Sequence, residues 1–164
     1  MGNSLIVSAA LLGSSIRIAS PKALWPGDEV QAIARDLAAK SGAEILLTED
    51  MDEALPGADF VHTDVWVSMG ESEEIWAQRV ELLGGYQVND AALARTGNPN
   101  AKFMHCLPSF HNTETAVGRQ MLEEHGITAM EVTDEVFESP ASVVFAQAEN
   151  RLHPQKALLL ALLG

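Results

Sequence analysis

The sequence predicts an α/β fold, a parallel sheet with helices on both faces, and three observations predict it. Short apolar segments alternate with longer ones whose apolar residues recur at three- and four-residue spacing. That alternation indicates βαβ units and a parallel sheet. The connections carry Gly, Pro, Asn and Asp, and none is long enough to divide the chain. A length of 164 residues then fits one domain, spanning 1–164.

Leu5, Ile6, Ala9, Ala10 and Leu12 sit at helical spacing within Met1 to Leu12, with Gly13 as a stop. Ser15 to Ser20 alternates around Ile16 and Ile18 and reads as a strand. Asp28 to Lys40 is an amphipathic helix closed by Ser41-Gly42. Glu44 to Thr48 is a short strand, followed by a short helix with N-cap and acidic first-turn chemistry that ends near Pro56-Gly57. Asp59 to Thr63 is a strand feeding the loop Asp64 to Gly70, and Glu71 to Leu83 is a helix. Asn89 caps a helix to Arg95, and Lys102 to His105 is a strand running into Cys106-Leu107-Pro108. Beyond it lie a helix near Gly118 to His125, a strand near Met130 to Val132, and helices over Asp134 to Glu138 and Ser142 to Leu163. A doubly wound domain normally opens with a strand, whereas this chain opens with a helix. The expected sheet therefore lacks its first strand.

Hydrophobic residues make up 47% and charged residues 20%, ordinary globular proportions that exclude wholesale disorder. The net charge of −13 argues against nucleic acid, since phosphate binding needs clustered Lys and Arg. A single cysteine forbids an intramolecular disulfide and suits a reducing, cytoplasmic setting. The amino terminus has no basic region before its apolar run, and no apolar stretch approaches the roughly 20 residues of a membrane span.

Ligands of such sheets bind outside the carboxyl ends of the strands, where Asp64 and Cys106 fall. In Asp64-Val65-Trp66-Val67-Ser68-Met69-Gly70 a carboxylate and a hydroxyl four residues on could grip an ammonium group. Equally, they could cap backbone N–H groups of an ordinary βα loop. In His105-Cys106-Leu107-Pro108 the thiol could be a nucleophile, a metal ligand, a hydrogen-bonding pocket wall or a small buried hydrophobe. If the strand continues, His105 projects to the face opposite Cys106, which weakens a Cys–His pair. The five histidines lack tight ligand spacing and there is no second cysteine, so no metal is expected. Arg151, near Pro154, could offer its fork to a phosphate or carboxylate, or be a solvated charge. Neither a P-loop nor a GxGxxG occurs, which removes the main support for a nucleotide cofactor.

Together the runs Asp64 to Gly70, Phe103-Met104-His105-Cys106-Leu107-Pro108, Glu131 to Ser139 and Gln147-Ala148-Glu149-Asn150-Arg151 resemble the ornithine carbamoyltransferase family across essentially the whole chain. The Ser68-Met69-Gly70 loop and the His105 to Pro108 run are the most specific pieces. The resemblance implies a Rossmann-like, ornithine-binding domain that transfers a carbamoyl group from carbamoyl phosphate to L-ornithine, with no cofactor. It implies that Asp64 and Ser68 hold the α-ammonium of ornithine and that the Met69 N–H meets its carboxylate. Cys106 and Leu107 would line the place where carbamoyl group and δ-amine meet, with Cys106 orienting the amine, and Arg151 would touch carbamoyl phosphate. Asp64 and Cys106 are thus the implied catalytic residues. The family is homotrimeric.

The family's Ser-Thr-Arg-Thr and His-Pro-Thr-Gln motifs do not occur, so the carbamoyl phosphate domain and the trimer-forming surface are expected to be absent. The first strand and an asparagine ligand of the family would precede Met1. The resulting expectation is an ornithine domain inactive by itself. Its alternative is a non-catalytic amino-acid-binding module that keeps the ornithine loop. With apolar Leu158 to Leu163 unpartnered, the isolated chain should associate or fold only partly. Gel filtration tests this, and a monomeric peak with a sharp cooperative melt would count against it.

Overall fold

The computed structural model describes residues 1–67 and 73–164. Its elements in order are α1 (Gly2–Leu12), β1 (Ile16–Ala19), α2 (Asp28–Ser41), β2 (Ile45–Thr48), α3 (Met51–Ala54), β3 (Phe60–Thr63) and α4 (Glu73–Leu83). They continue with α5 (Asp90–Ala94), β4 (Lys102–His105), α6 (Ala116–His125), α7 (Asp134–Phe137), α8 (Val144–Asn150) and α9 (Leu152–Leu163). The helix–strand alternation and parallel pairing match the α/β expectation.

Several helix limits follow from local chemistry. Asp28 and Glu29 open α2 and Lys40 closes it, each charge opposing the helix dipole, and Gly42 takes the left-handed cap at φ 83°. The Asn89 side chain accepts the Ala92 N–H at 2.9 Å ahead of α5. Thr115 does the same for Gly118 at 3.0 Å ahead of α6. Gly118 is required there for a second reason. A Cβ would drive into the carbonyl oxygen of Asn112, so the loop could not close on the helix.

The strands form two parallel pairs, β1–β2 and β3–β4, not one continuous sheet. Among the described residues no strand joins β1 to β3. The strand expected at Met130 to Val132 is reduced to one parallel bridge between Val88 and Val132. The Val88 N–H donates to Glu131 and the Thr133 N–H to Val88, both at 3.0 Å, after which Thr133 begins α7. The continuous helix expected over Ser142 to Leu163 is broken at Arg151. Pro154 has no N–H to return to the Asn150 carbonyl, so the α8 ladder cannot continue through it.

Among the described residues, three apolar clusters hold these pieces. Ile6, Ala10 and Ala34 join α1 to α2 against Ile16, Ile18, Ile45 and Leu47 of the first strand pair. Around the second pair, Val61 and Phe103 pack with Leu55, Val88, Val132, Val136, Phe137 and Val144. Trp66, Val67, Met121 and Met130 form the third, capped by Trp76 and Phe110. The leucines of α9 lie outside all three and are exposed.

Phe103 is the largest fully buried side chain among the described residues. Phe103→Ala is expected to lower the unfolding free energy by about 3–5 kcal/mol in urea denaturation, the usual range for a truncated buried aromatic. Phe60, 63% exposed on the paired strand, is the control, and Phe60→Ala should change it by no more than about 0.5 kcal/mol.

Candidate functional site

Strands β3 and β4 pair from Phe60 with Lys102 to Thr63 with His105. The next residue of each strand is Asp64 and Cys106, so both leave the carboxyl edge side by side. The Cys106 Sγ donates to Asp64 Oδ1 at 2.8 Å. That oxygen also accepts the Val65 N–H at 2.9 Å, so Asp64 caps its own loop and binds the thiol with the same atom. Oδ2 is turned outward, 3.6 Å from the amino group of Met1, on a side chain 42% exposed.

Burial pushes the Cys106 thiol up to about 11, and the hydrogen bond and charge of Asp64 push it the same way. The group is therefore a protonated donor at neutral pH, not a thiolate nucleophile. Its proton is retained while the unfolded thiol ionises, so this contribution to stability is complete below the unfolded value and is lost as pH rises toward about 11.

His105 turns away from Cys106, as strand alternation requires, and is fully buried. Its Nδ1 accepts the Leu107 N–H at 2.8 Å, and its Nε2 lies 3.2 Å from Glu131 Oε1. Glu131, also fully buried, accepts from Ser109 Oγ at 2.9 Å and from the Phe110 N–H at 2.8 Å. Leu107 takes the left-handed conformation at φ 55° and precedes a cis peptide bond to Pro108. Its side chain packs on the cluster around Phe103. On α8, Gln147 accepts the His105 N–H at 3.1 Å and faces His62 Nε2 at 3.5 Å. Burial first, and His105 second, lower the proton affinity of His62, against the raising effect of Asp64.

The structure thus brings Asp64 and Cys106 together, while Leu107, next to Cys106 in the chain, turns its side chain to the cluster around Phe103. Arg151 is exposed at the junction of α8 and α9, makes no side-chain hydrogen bond or ion pair among the described residues, and does not touch the Asp64–Cys106 pair. Ser68 and Met69 lie outside the described residues. Among the described residues no three His, Cys, Asp or Glu side chains are arranged to hold a metal ion. No helix among them is long and apolar enough to cross a membrane.

Sequence reasoning missed Glu131, Gln147 and His62 as parts of this edge. Glu131 stands between apolar Met130 and Val132, a pattern that normally turns the polar residue to solvent. Here all three are buried, because both sides of the segment are covered.

Fold and site define a class: a parallel, Rossmann-like α/β domain with its polar groups gathered outside the carboxyl ends of its strands. Residues 1–162 match the family described as aspartate/ornithine carbamoyltransferase, Asp/Orn binding domain, and the chain belongs to that family. It is 53% identical over its whole length to the catabolic ornithine carbamoyltransferase of Rhizobium meliloti (strain 1021), covering 49% of that protein. The catabolic enzyme of Chromobacterium violaceum is 55% identical, again over the whole chain and 49% of the relative. Among solved structures, the anabolic ornithine carbamoyltransferase of Campylobacter jejuni superposes with a TM-score of 0.82 at 37% identity. That match covers 99% of this chain and 47% of the other. The chain spans about half the length of the curated relatives it matches.

Asp64→Asn removes the charge that holds the thiol proton. Its expected effect is a lower midpoint in the pH profile of Cys106 alkylation and a faster reaction at pH 8. An unchanged profile would separate the two side chains.

Proposed function

We propose that this chain binds L-ornithine and serves as the ornithine-binding part of a carbamoyltransferase. The reaction transfers the carbamoyl group of carbamoyl phosphate to the δ-amine, giving L-citrulline and phosphate. The observation that carries this reading is the Asp64–Cys106 contact at the carboxyl edge of β3 and β4. It leaves the second carboxylate oxygen of Asp64 turned outward, where an ammonium group can reach it. In this reading Asp64 and Ser68 hold the α-ammonium, and the Met69 N–H receives the ornithine carboxylate. Charge-assisted bonds of this kind suit a small zwitterion.

Cys106, its single proton committed to Asp64, orients the uncharged δ-amine by accepting an amine N–H at its sulfur and forms no covalent bond with it. The amine nitrogen attacks the carbamoyl carbon, a tetrahedral species forms, and the C–O bond to phosphate breaks as the amine loses a proton. Leu107 and Arg151 belong to the carbamoyl phosphate side, with the exposed guanidinium at the α8–α9 junction meeting the phosphate. Juxtaposing the substrates and stabilising the oxyanion supply the rate. The chemistry needs a carbamoyl phosphate site beside this one. Homotrimeric assembly of the whole enzyme and a cytoplasmic location are parts of the same proposal.

A second reading is a non-catalytic amino-acid-binding module. It is favoured by one observation: Arg151 stands apart from the Asp64–Cys106 pair without a partner among the described residues. Calorimetry with L-ornithine tests binding, and citrulline formation from both substrates separates the two readings. Binding without citrulline favours the module. Asp64→Asn should weaken ornithine binding by about 10- to 100-fold, the worth of a charge-assisted hydrogen bond. No heat of binding with ornithine in the unaltered chain would refute both readings.

A further inference from the structure

We propose that Glu131 is a positioning residue which, acting through His105, fixes the turn that holds the Cys106 thiol against Asp64. This role deepens the ornithine-site reading and rests on it for the chemical task of Cys106, although its test needs no ornithine.

The six residues from His105 to Phe110 are gathered at both ends by a single oxygen. Glu131 Oε1 accepts from Ser109 Oγ at 2.9 Å and from the Phe110 N–H at 2.8 Å, and it stands 3.2 Å from His105 Nε2. The last approach is an electrostatic contact without hydrogen-bond alignment. Inside the segment, the Leu107 N–H donates to His105 Nδ1 at 2.8 Å. That bond needs a lone pair on Nδ1, so the ring hydrogen belongs on Nε2, facing the carboxylate. An imidazolium would set two N–H groups against each other at Nδ1. The buried carboxylate therefore favours the tautomer that can catch Leu107.

Leu107 needs to be caught. A branched side chain at φ 55° occupies a region that L-residues rarely adopt, and the bond to His105 ties its amide there. Cys106 is the residue between the two partners of that bond, and its thiol is carried to Asp64 Oδ1 at 2.8 Å. Stability alone does not account for the arrangement. Glu131 and His105 are fully buried, and Glu131 Oε2 has no hydrogen-bond partner among the described residues, a combination that an apolar pair of the same shape would avoid.

Cys106 is the only cysteine of the chain, so its alkylation by iodoacetamide reads the turn directly. His105→Asn places an oxygen where Nδ1 stood and should keep the rate at pH 8 within about twofold of the parent. His105→Gln reaches toward Glu131 but gives up Leu107. It should react about 10-fold faster at pH 8, as the thiol falls from about 11 toward 9.0 and its thiolate becomes less nucleophilic. Glu131→Gln, which retains an acceptor oxygen, should follow the parent, and Glu131→Leu should follow His105→Gln. Circular dichroism selects the variants that keep the fold. For folded variants, a His105→Gln profile that coincides with the parent overturns the proposal.

Nitrogen NMR of the unaltered chain decides the matter without any substitution. An unprotonated Nδ1 on His105 at pH 7 supports the role, and a hydrogen on Nδ1 overturns it. If the thiol pattern holds while ornithine fails to bind, the functional reading falls and the positioning role stands.

Discussion

Asp64 and Cys106 touch because β3 and β4 pair in one register, Thr63 opposite His105, and each strand ends at that pair. A slip by one residue would turn every side chain of β4 to the other face and carry the thiol away from the carboxylate. The register is held from the core. Phe103, fully buried, exchanges main-chain bonds at 2.9 Å with Ala141 and Val143 on the other side of β4. Gln147 then takes the His105 N–H, the last of the strand. Packing around Phe103 sets the strand, and the strand sets the polar edge.

That edge uses two carboxylates in opposite ways. Asp64 is half-exposed and divides its oxygens, one turned inward to the thiol and the Val65 N–H, one outward. Glu131 is sealed in, and its acceptor oxygen serves groups of the 105–110 segment. The first faces solvent, while the second is enclosed behind it. In a chain of net charge −13, it is the burial and direction of these two groups, and not the overall acidity, that gives the edge its character.

Much of the fold was legible in the sequence because its signals are local. Apolar spacing located β1 to β4, and Asn89, Gly13 and Gly42 marked helix limits. The grouping of the strands into two pairs was not legible, since parallel neighbours are distant in sequence and nothing local records which edge meets which. Pro154 could have shown the break between α8 and α9, but the unbroken leucine pattern after it outweighed the missing N–H. At the site, residue types and spacing alone left Asp64 a cap or a ligand and Cys106 one of several things. Resemblance to a family supplied the choice. Geometry then showed that Asp64 both caps its loop and holds the thiol. Glu131 and Gln147 escaped notice because a polar residue beside apolar ones normally faces water.

The inward oxygen of Asp64 is already spoken for, and this has a stereochemical consequence. A planar guanidinium seats best on two carboxylate oxygens lying side by side, whereas a primary ammonium is content with one. With Oδ1 occupied by thiol and amide, Oδ2 is the oxygen that faces outward. If Asp64 holds a ligand as proposed, selection is by valence: a compact head group would find its full complement there, and a forked one half.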